Sequence, residues 1–210
     1  MDRLKIKICG MRESDNCNAV ARLKPDLLGF IYYPHSPRFV GMDFTMPVGL
    51  PASVIKVGVF VDEDPVRIKE IVQRSGLNAV QLHGNESPAT CALLKEQVPV
   101  VIKSFAVDDA FCFDNTRAYT RSVDYFLFDT RGEKPGGNGL TFNWSVLKNY
   151  RFHTPFFLSG GIHPNNISQV SALKHPRLAG VDLNSGFEVR PGKKDPDALR
   201  SAFHLLNKEI

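Results

Sequence analysis

Apolar residues fall at every second position over Leu4, Ile6 and Ile8, the two-residue period of a strand, and Gly10 gives that strand a sharp exit. A helical stretch follows over residues 15–23. The same exchange of a short apolar run for a polar stretch then repeats down the chain. Residues 27–31, Leu-Leu-Gly-Phe-Ile, predict a strand buried on both faces. Further strands are predicted at 54–60, 79–82, 98–104, 125–128, 155–158 and 178–183. Asp62-Glu63-Asp64-Pro65 puts acids and a proline in a first helical turn, predicting a helix to Ser75 before Gly76. Ser87-Pro88 opens another, to residue 96. Helices are also expected over 108–121, from Trp144 onward, over 164–173 and over 196–207. Between the second and third strands, Pro47, Gly49 and Pro51 leave room only for a short or broken helix.

Eight strand–helix units without a linker or low-complexity tract predict one domain over residues 1–210. The fold class is α/β, a single (β/α)8 TIM barrel with a shortened or broken second helix. A doubly wound sheet is the alternative, but eight near-regular units favour closure. At 210 residues the barrel is smaller than the ~250 typical of the fold. The 43% apolar and 23% charged fractions are those of a soluble globular chain. No run approaches the ~20 apolar residues of a membrane span, and Met1-Asp2-Arg3 leads straight into a strand, so no secretory segment is expected. Cys9, Cys17, Cys91 and Cys112 form no C-x-x-C pair and no metal-like cluster. They read as free thiols, with no metal bound and a cytoplasmic location. The net charge of +4 is dispersed rather than gathered into a basic stripe. That argues against nucleic acid and suits a small anionic ligand. Monomer and homodimer both stay open.

In a parallel barrel the ligand binds where the strands end. Those positions hold Cys9, the loop to Arg38, His83, Asp129, Ser159-Gly160-Gly161 and the stretch from Asp182 to Gly186. Glycines after the seventh and eighth strands let successive backbone N–H groups face a phosphate, although tight turns use glycine too. Cys9 and Asp129, from strands one and six, lie across a closed mouth and are the candidate acid–base pair. The apolar approach Tyr125-Phe126-Leu127-Phe128 is expected to raise the Asp129 pKa and keep it a proton donor. Cys9 has to act as thiolate. At the reference pKa of ~8.5 only about 3% is ionised at neutral pH, against about half at a pKa of ~7. Lys7 is expected to point away from it, which leaves the group that would lower its pKa unnamed. His83 is a third acid–base candidate, a ligand-positioning group or a structural histidine. Arg38, on a loop braced by Pro34 and Pro37, offers a fork of donors suited to a carboxylate.

Several stretches together resemble the phosphoribosylanthranilate isomerase family, (β/α)8 enzymes of tryptophan biosynthesis. The first are Lys7-Ile8-Cys9-Gly10, Gly29-Phe30 with Ser36-Pro37-Arg38-Phe39-Val40, Lys56-Val57-Gly58-Val59-Phe60 and Gln81-Leu82-His83-Gly84. Asp129 before Gly136-Gly137-Asn138-Gly139, Phe142-Asn143-Trp144 and Ser159-Gly160-Gly161-Ile162 with Pro164-Asn165-Asn166 continue the match. It closes with Gly180-Val181-Asp182-Leu183-Asn184-Ser185-Gly186-Phe187-Glu188 and Pro191-Gly192-Lys193-Lys194-Asp195. The resemblance implies a cofactor-free rearrangement of a small phosphorylated substrate, an N-aryl phosphoribosylamine, to an aminodeoxyribulose phosphate. It puts the general base on Cys9 and the general acid on Asp129. It also implies that Arg38 holds the anthranilate carboxylate, that Gly160-Gly161 with Ser185-Gly186 hold the phosphate, and that Asp182 helps orient the ligand.

The chain departs from the family pattern in its proline-broken second helix, in Asn138 for the usual Thr, and in Asn143 within Phe-Asn-Trp. These bear on loop closure and rate, not on the proton-transfer groups. Two rivals share the scaffold. A sugar-phosphate epimerase or indole-glycerol-phosphate synthase relative would want metal-binding His and acidic residues or a strand-end Lys, whereas Lys56 and Lys103 fall inside strands. A non-catalytic phosphate-ligand binder would have no need of Cys9 and Asp129.

Overall fold

Eight parallel strands close into a barrel in chain order. They are β1 (Lys5–Ile8), β2 (Leu27–Ile31), β3 (Ile55–Phe60), β4 (Ala79–Leu82), β5 (Val100–Val107), β6 (Tyr125–Thr130), β7 (Phe156–Leu158) and β8 (Leu178–Leu183). The computed structural model describes residues 3–130 and 142–207; the glycine-rich stretch with Asn138 lies outside the described residues. Side chains alternate between two cores because successive residues of a strand point to opposite faces. In β2, Leu28 and Phe30 face the layer beneath the helices. Leu27 joins Val57, Ala79, Ile102, Leu127 and Phe157 in an apolar plug inside the barrel. Each such burial stabilises by ~1.5–3 kcal/mol. With the plug supplying that stability, the inward positions at the strand ends are free to carry polar groups.

The outer helices are α1 (Ser14–Ala21), α2 (Pro65–Ser75), α3 (Pro88–Lys95), α4 (Ile167–Ser171) and α5 (Pro196–Asn207). The caps read from sequence are in place. The Asp64 carboxylate accepts from the Val66 and Arg67 N–H groups, and Ser87 Oγ accepts from Thr90 N–H. The α2 helix ends at Gly76 with φ +59°.

Four expectations are corrected. Residues 41–53 form turns and no helix at all, with Gly41 and Gly49 at φ +100° and +88°. Phe44 covers the outside of the barrel there, 5.4 Å from the Phe30 ring. The helices expected over 108–121 and from Trp144 are 3₁₀ segments, Phe113–Tyr119 and Trp144–Asn149. The helix over 164–173 contracts to α4. The physical reason is an aromatic layer: Phe113 lies 5.3 Å from Phe128 and 5.7 Å from Tyr150, which itself lies 5.5 Å from Phe156. Large rings cover the strands from short segments. Asn143 caps the second 3₁₀ segment, its Oδ1 accepting from Ser145 N–H at 3.1 Å, as an aspartate would.

After β8 the chain folds a hairpin that the sequence pattern did not predict, β9 (Glu188–Arg190) with β10 (Lys193–Lys194). No helix of the described residues is long and apolar enough to cross a membrane. All four cysteines are free.

Candidate active site

Cys9 is the residue just past β1, and its N–H donates to Leu183 O at 3.0 Å. Gly10 turns the chain away at φ +77°, and a Cβ there would stand 2.7 Å from Arg38 Cδ and 2.9 Å from Asn184 Oδ1. That glycine therefore lets Arg38 cross the end of β1 beside Cys9.

Lys7 and Asp182 are ladder partners between β1 and β8. Both point into the barrel and form a buried salt bridge of 2.9 Å. Lys7 thus shares a face with Cys9, contrary to expectation, because positions two apart on a strand point the same way. Burial is the largest influence on the Cys9 thiol and pushes its pKa above the ordinary value; Lys7 opposes this and Asp182 adds to it. The lowered thiol required by the sequence reading is therefore not what this environment creates. Burial also raises the Asp182 carboxyl, against the pull of Lys7. Asp182 Oδ1 and Gln81 Oε1 are buried without a hydrogen-bond partner and belong to residues lining the pocket.

Asp129 stands inside β6, not after it. Its Oδ1 accepts from the Thr130 N–H at 3.0 Å, and its Oδ2 lies 3.4 Å from His83 Nε2. The Gln81 amide nitrogen, which can only donate, meets His83 Nδ1 at 2.9 Å. His83 therefore stands between Gln81 and Asp129. The surroundings of Asp129 are polar on this side, unlike the apolar approach inferred from sequence.

Arg38 is buried, and its fork grips Glu188: Nε lies 3.0 and 3.1 Å from the two carboxylate oxygens and an Nη 2.6 Å from Oε2. Lys194 Nζ donates to the same carboxylate at 2.6 Å and to Asn184 Oδ1 at 2.7 Å. Arg38 and Lys194 hold the Glu188 carboxyl below its usual range despite burial, while burial pulls Lys194 down to about 8. Two cations around one anion leave this corner with one net positive charge, the complement of a carboxylate.

Cys9, Asp129, Arg38 and His83 line one pocket, with Asp182 deeper on β8 and Gly160, Gly161 and Ser185 along the loops after β7 and β8. Gly186 does not line it; a Cβ there would run into the Ile162 carbonyl, so this glycine brings the two loops together. Sequence reasoning missed Lys7 and Gln81, although strand alternation from Cys9 and His83 marks both. It missed Glu188 and Lys194 as site residues because the hairpin brings them in from 150 or more positions along the chain from Arg38.

The family model for N-(5′-phosphoribosyl)anthranilate (PRA) isomerase matches residues 6–204. The N-(5′-phosphoribosyl)anthranilate isomerase of Parabacteroides distasonis is 46% identical over 204 residues, covering 96% of this chain and 92% of that protein. That of Phocaeicola vulgatus is 42% identical over 98% of both chains. The chain belongs to the phosphoribosylanthranilate isomerase family. It is accordingly an isomerase of tryptophan biosynthesis. Among solved structures of the family, the Thermotoga maritima enzyme superimposes with a TM-score of 0.85 at 32% identity, covering 98% of this chain and 99% of that one. Another phosphoribosylanthranilate isomerase, solved with reduced 1-(o-carboxyphenylamino)-1-deoxyribulose 5-phosphate, gives 0.80 at 30% identity over 98% and 99%.

Proposed function

We propose that the chain converts N-(5′-phosphoribosyl)anthranilate to 1-(2-carboxyphenylamino)-1-deoxyribulose 5-phosphate, with Cys9 as general base and Asp129 as general acid. The observation that carries this reading is one pocket lined by a thiol and a carboxyl together with Arg38 and the loops after β7 and β8. Arg38 takes the anthranilate carboxylate, and the loops at Gly160-Gly161 and Ser185 take the phosphate. Asp129 gives its proton to the ring oxygen; the C1′–O bond breaks and an iminium forms. The Cys9 thiolate then removes the C2′ proton. The C–H pair becomes the C1′–C2′ double bond and discharges the iminium nitrogen, giving an enolamine that tautomerises to the ketone. Solvent returns the proton from Cys9 to Asp129 between turnovers. In this reading the enzyme works in the cytoplasm, which suits four free cysteines.

Loss of fluorescence from freshly made phosphoribosylanthranilate tests the proposal, with the parent, Cys9→Ser and Asp129→Asn side by side. Each variant is expected to lose about 10²–10⁴ in kcat, the worth of a general acid or base, while affinity for the reduced product analogue stays within about threefold. Turnover within a few-fold of the parent would remove that residue's role. A folded parent that binds the analogue without turnover would remove the reaction.

A further inference from the structure

The proposed reaction uses a thiolate, yet Cys9 sits in a buried environment that favours the thiol, and no step above accounts for the buried ion pair beside it. Lys7 Nζ is fully buried and anchored on Asp182 Oδ2 at 2.9 Å. Neighbouring Gly29 on β2 supplies a second geometric fact. A Cβ at that position would stand 2.8 Å from Cys9 Sγ and 3.2 Å from Lys7 Nζ, so sulfur and ammonium share the small space this glycine leaves. A lysine aimed into a barrel costs several kcal/mol in desolvation, and an apolar residue would plug the interior without that cost. We infer that Lys7 is a positioning residue for the Cys9 base: its ammonium, fixed by Asp182, is the counter-charge that the thiolate meets when it forms.

The other charges around the sulfur do not substitute for it. After burial, Lys7 acts most strongly on the thiol, followed by Asp182 in the opposite sense, with Lys194 a weaker contribution from β10. Arg38 is paired with Glu188 and His83 with Asp129, and neither is among the groups acting on the thiol. Lys7 and Asp182 therefore act on Cys9 with opposite signs. A purely structural pair would not: breaking it from either side would disturb the sulfur in the same manner.

The inference rests on Cys9 being the base, and its test is chosen to be read without turnover. In a Cys112→Ser background, which removes the exposed thiol, alkylation of Cys9 by iodoacetamide is followed against pH by peptide mass spectrometry. Lys7→Met is expected to move the inflection up by about one unit or more, and Asp182→Asn to move it down. Lys7→Arg, which keeps the charge, is expected to remain within about half a unit of the parent. In parallel, Lys7→Met should lose kcat about tenfold or more with analogue affinity kept within about threefold. Inflections that move together or stay put overturn the proposal. If Lys7→Met does not fold, an Asp182→Asn inflection that fails to fall overturns it alone. Failure of the Cys9 role itself would show separately, as retained turnover in Cys9→Ser.

Discussion

Gly160 lies where the phosphate loop proposed above meets the proposed proton donor, Asp129. It has φ +86°, and a Cβ would collide with Thr130 N and Oγ1 and stand 2.7 Å from Asp129 Oδ1. A glycine chosen only to expose N–H groups would affect substrate binding alone. Here Gly160→Ala is expected to push on the carboxyl as well, lowering kcat about tenfold or more while also raising KM. Steady-state kinetics check this, and an effect on KM alone would separate the loop from the acid. The residue scale was legible where strand ends marked it: Cys9, His83 and Asp129 were all read from position. It failed at Lys7. Alternation alone puts Lys7 on the face of Cys9; what makes a buried lysine tolerable there, despite the cost of desolvating a charge, is Asp182, which no local pattern pairs with it.

At the scale of elements, the β9–β10 hairpin does what no strand end could. It carries Glu188 and Lys194 beneath Arg38, so the orientation of the arginine depends on a segment distant in sequence. Nothing local announces this, since Glu188-Val189-Arg190 and Lys193-Lys194 look like surface chain until the fold buries Lys194. Glu188→Gln would leave two buried cations without their counter-charge. It is expected to cost about 3–5 kcal/mol, or roughly 6–20 °C in Tm, measured by thermal unfolding. The pH dependence follows from Lys194, whose folded pKa of about 8 lies below its ordinary 10.5. It is charged at pH 7 and neutral at pH 9, so the corner falls from one net positive charge to none. Affinity for the reduced product analogue should therefore weaken roughly threefold to tenfold across that interval. Lys194→Met should flatten the dependence; a parent profile already flat would show that the corner does not feel this charge.

For the whole molecule, the question is how 210 residues close a barrel that usually takes ~250. The eight strands were legible because apolar runs repeat at strand length. In the outer layer α1, α2, α3 and α5 were legible too, but the segments after β5 and β6 were not, because helix and 3₁₀ segments of similar composition differ by what packs beneath them. Between β5 and β7, rings replace helical length: Phe105, Phe113, Phe126, Phe128, Tyr150 and Phe156 pack edge-on or tilted at centroid distances of 5.0 to 6.2 Å. Tyr150 ties this layer together, touching four of those rings, Phe113, Phe126, Phe128 and Phe156, and donating its hydroxyl to Thr154 O at 2.6 Å. Two substitutions divide its contribution. Tyr150→Phe removes the donor and strands a buried carbonyl, for about 1–2 kcal/mol. Tyr150→Ala removes the ring as well, for about 3–5 kcal/mol. At roughly 2–4 °C per kcal/mol for a chain of this size, Tm should fall by about 2–8 °C in the first and about 6–20 °C in the second. Because Tyr150 faces the outer layer and not the pocket, kcat at 20 °C should be that of the parent in both, as long as the protein is folded. Equal losses of Tm from the two would mean that the ring adds nothing beyond its hydrogen bond, and the compactness of the barrel would then need another source.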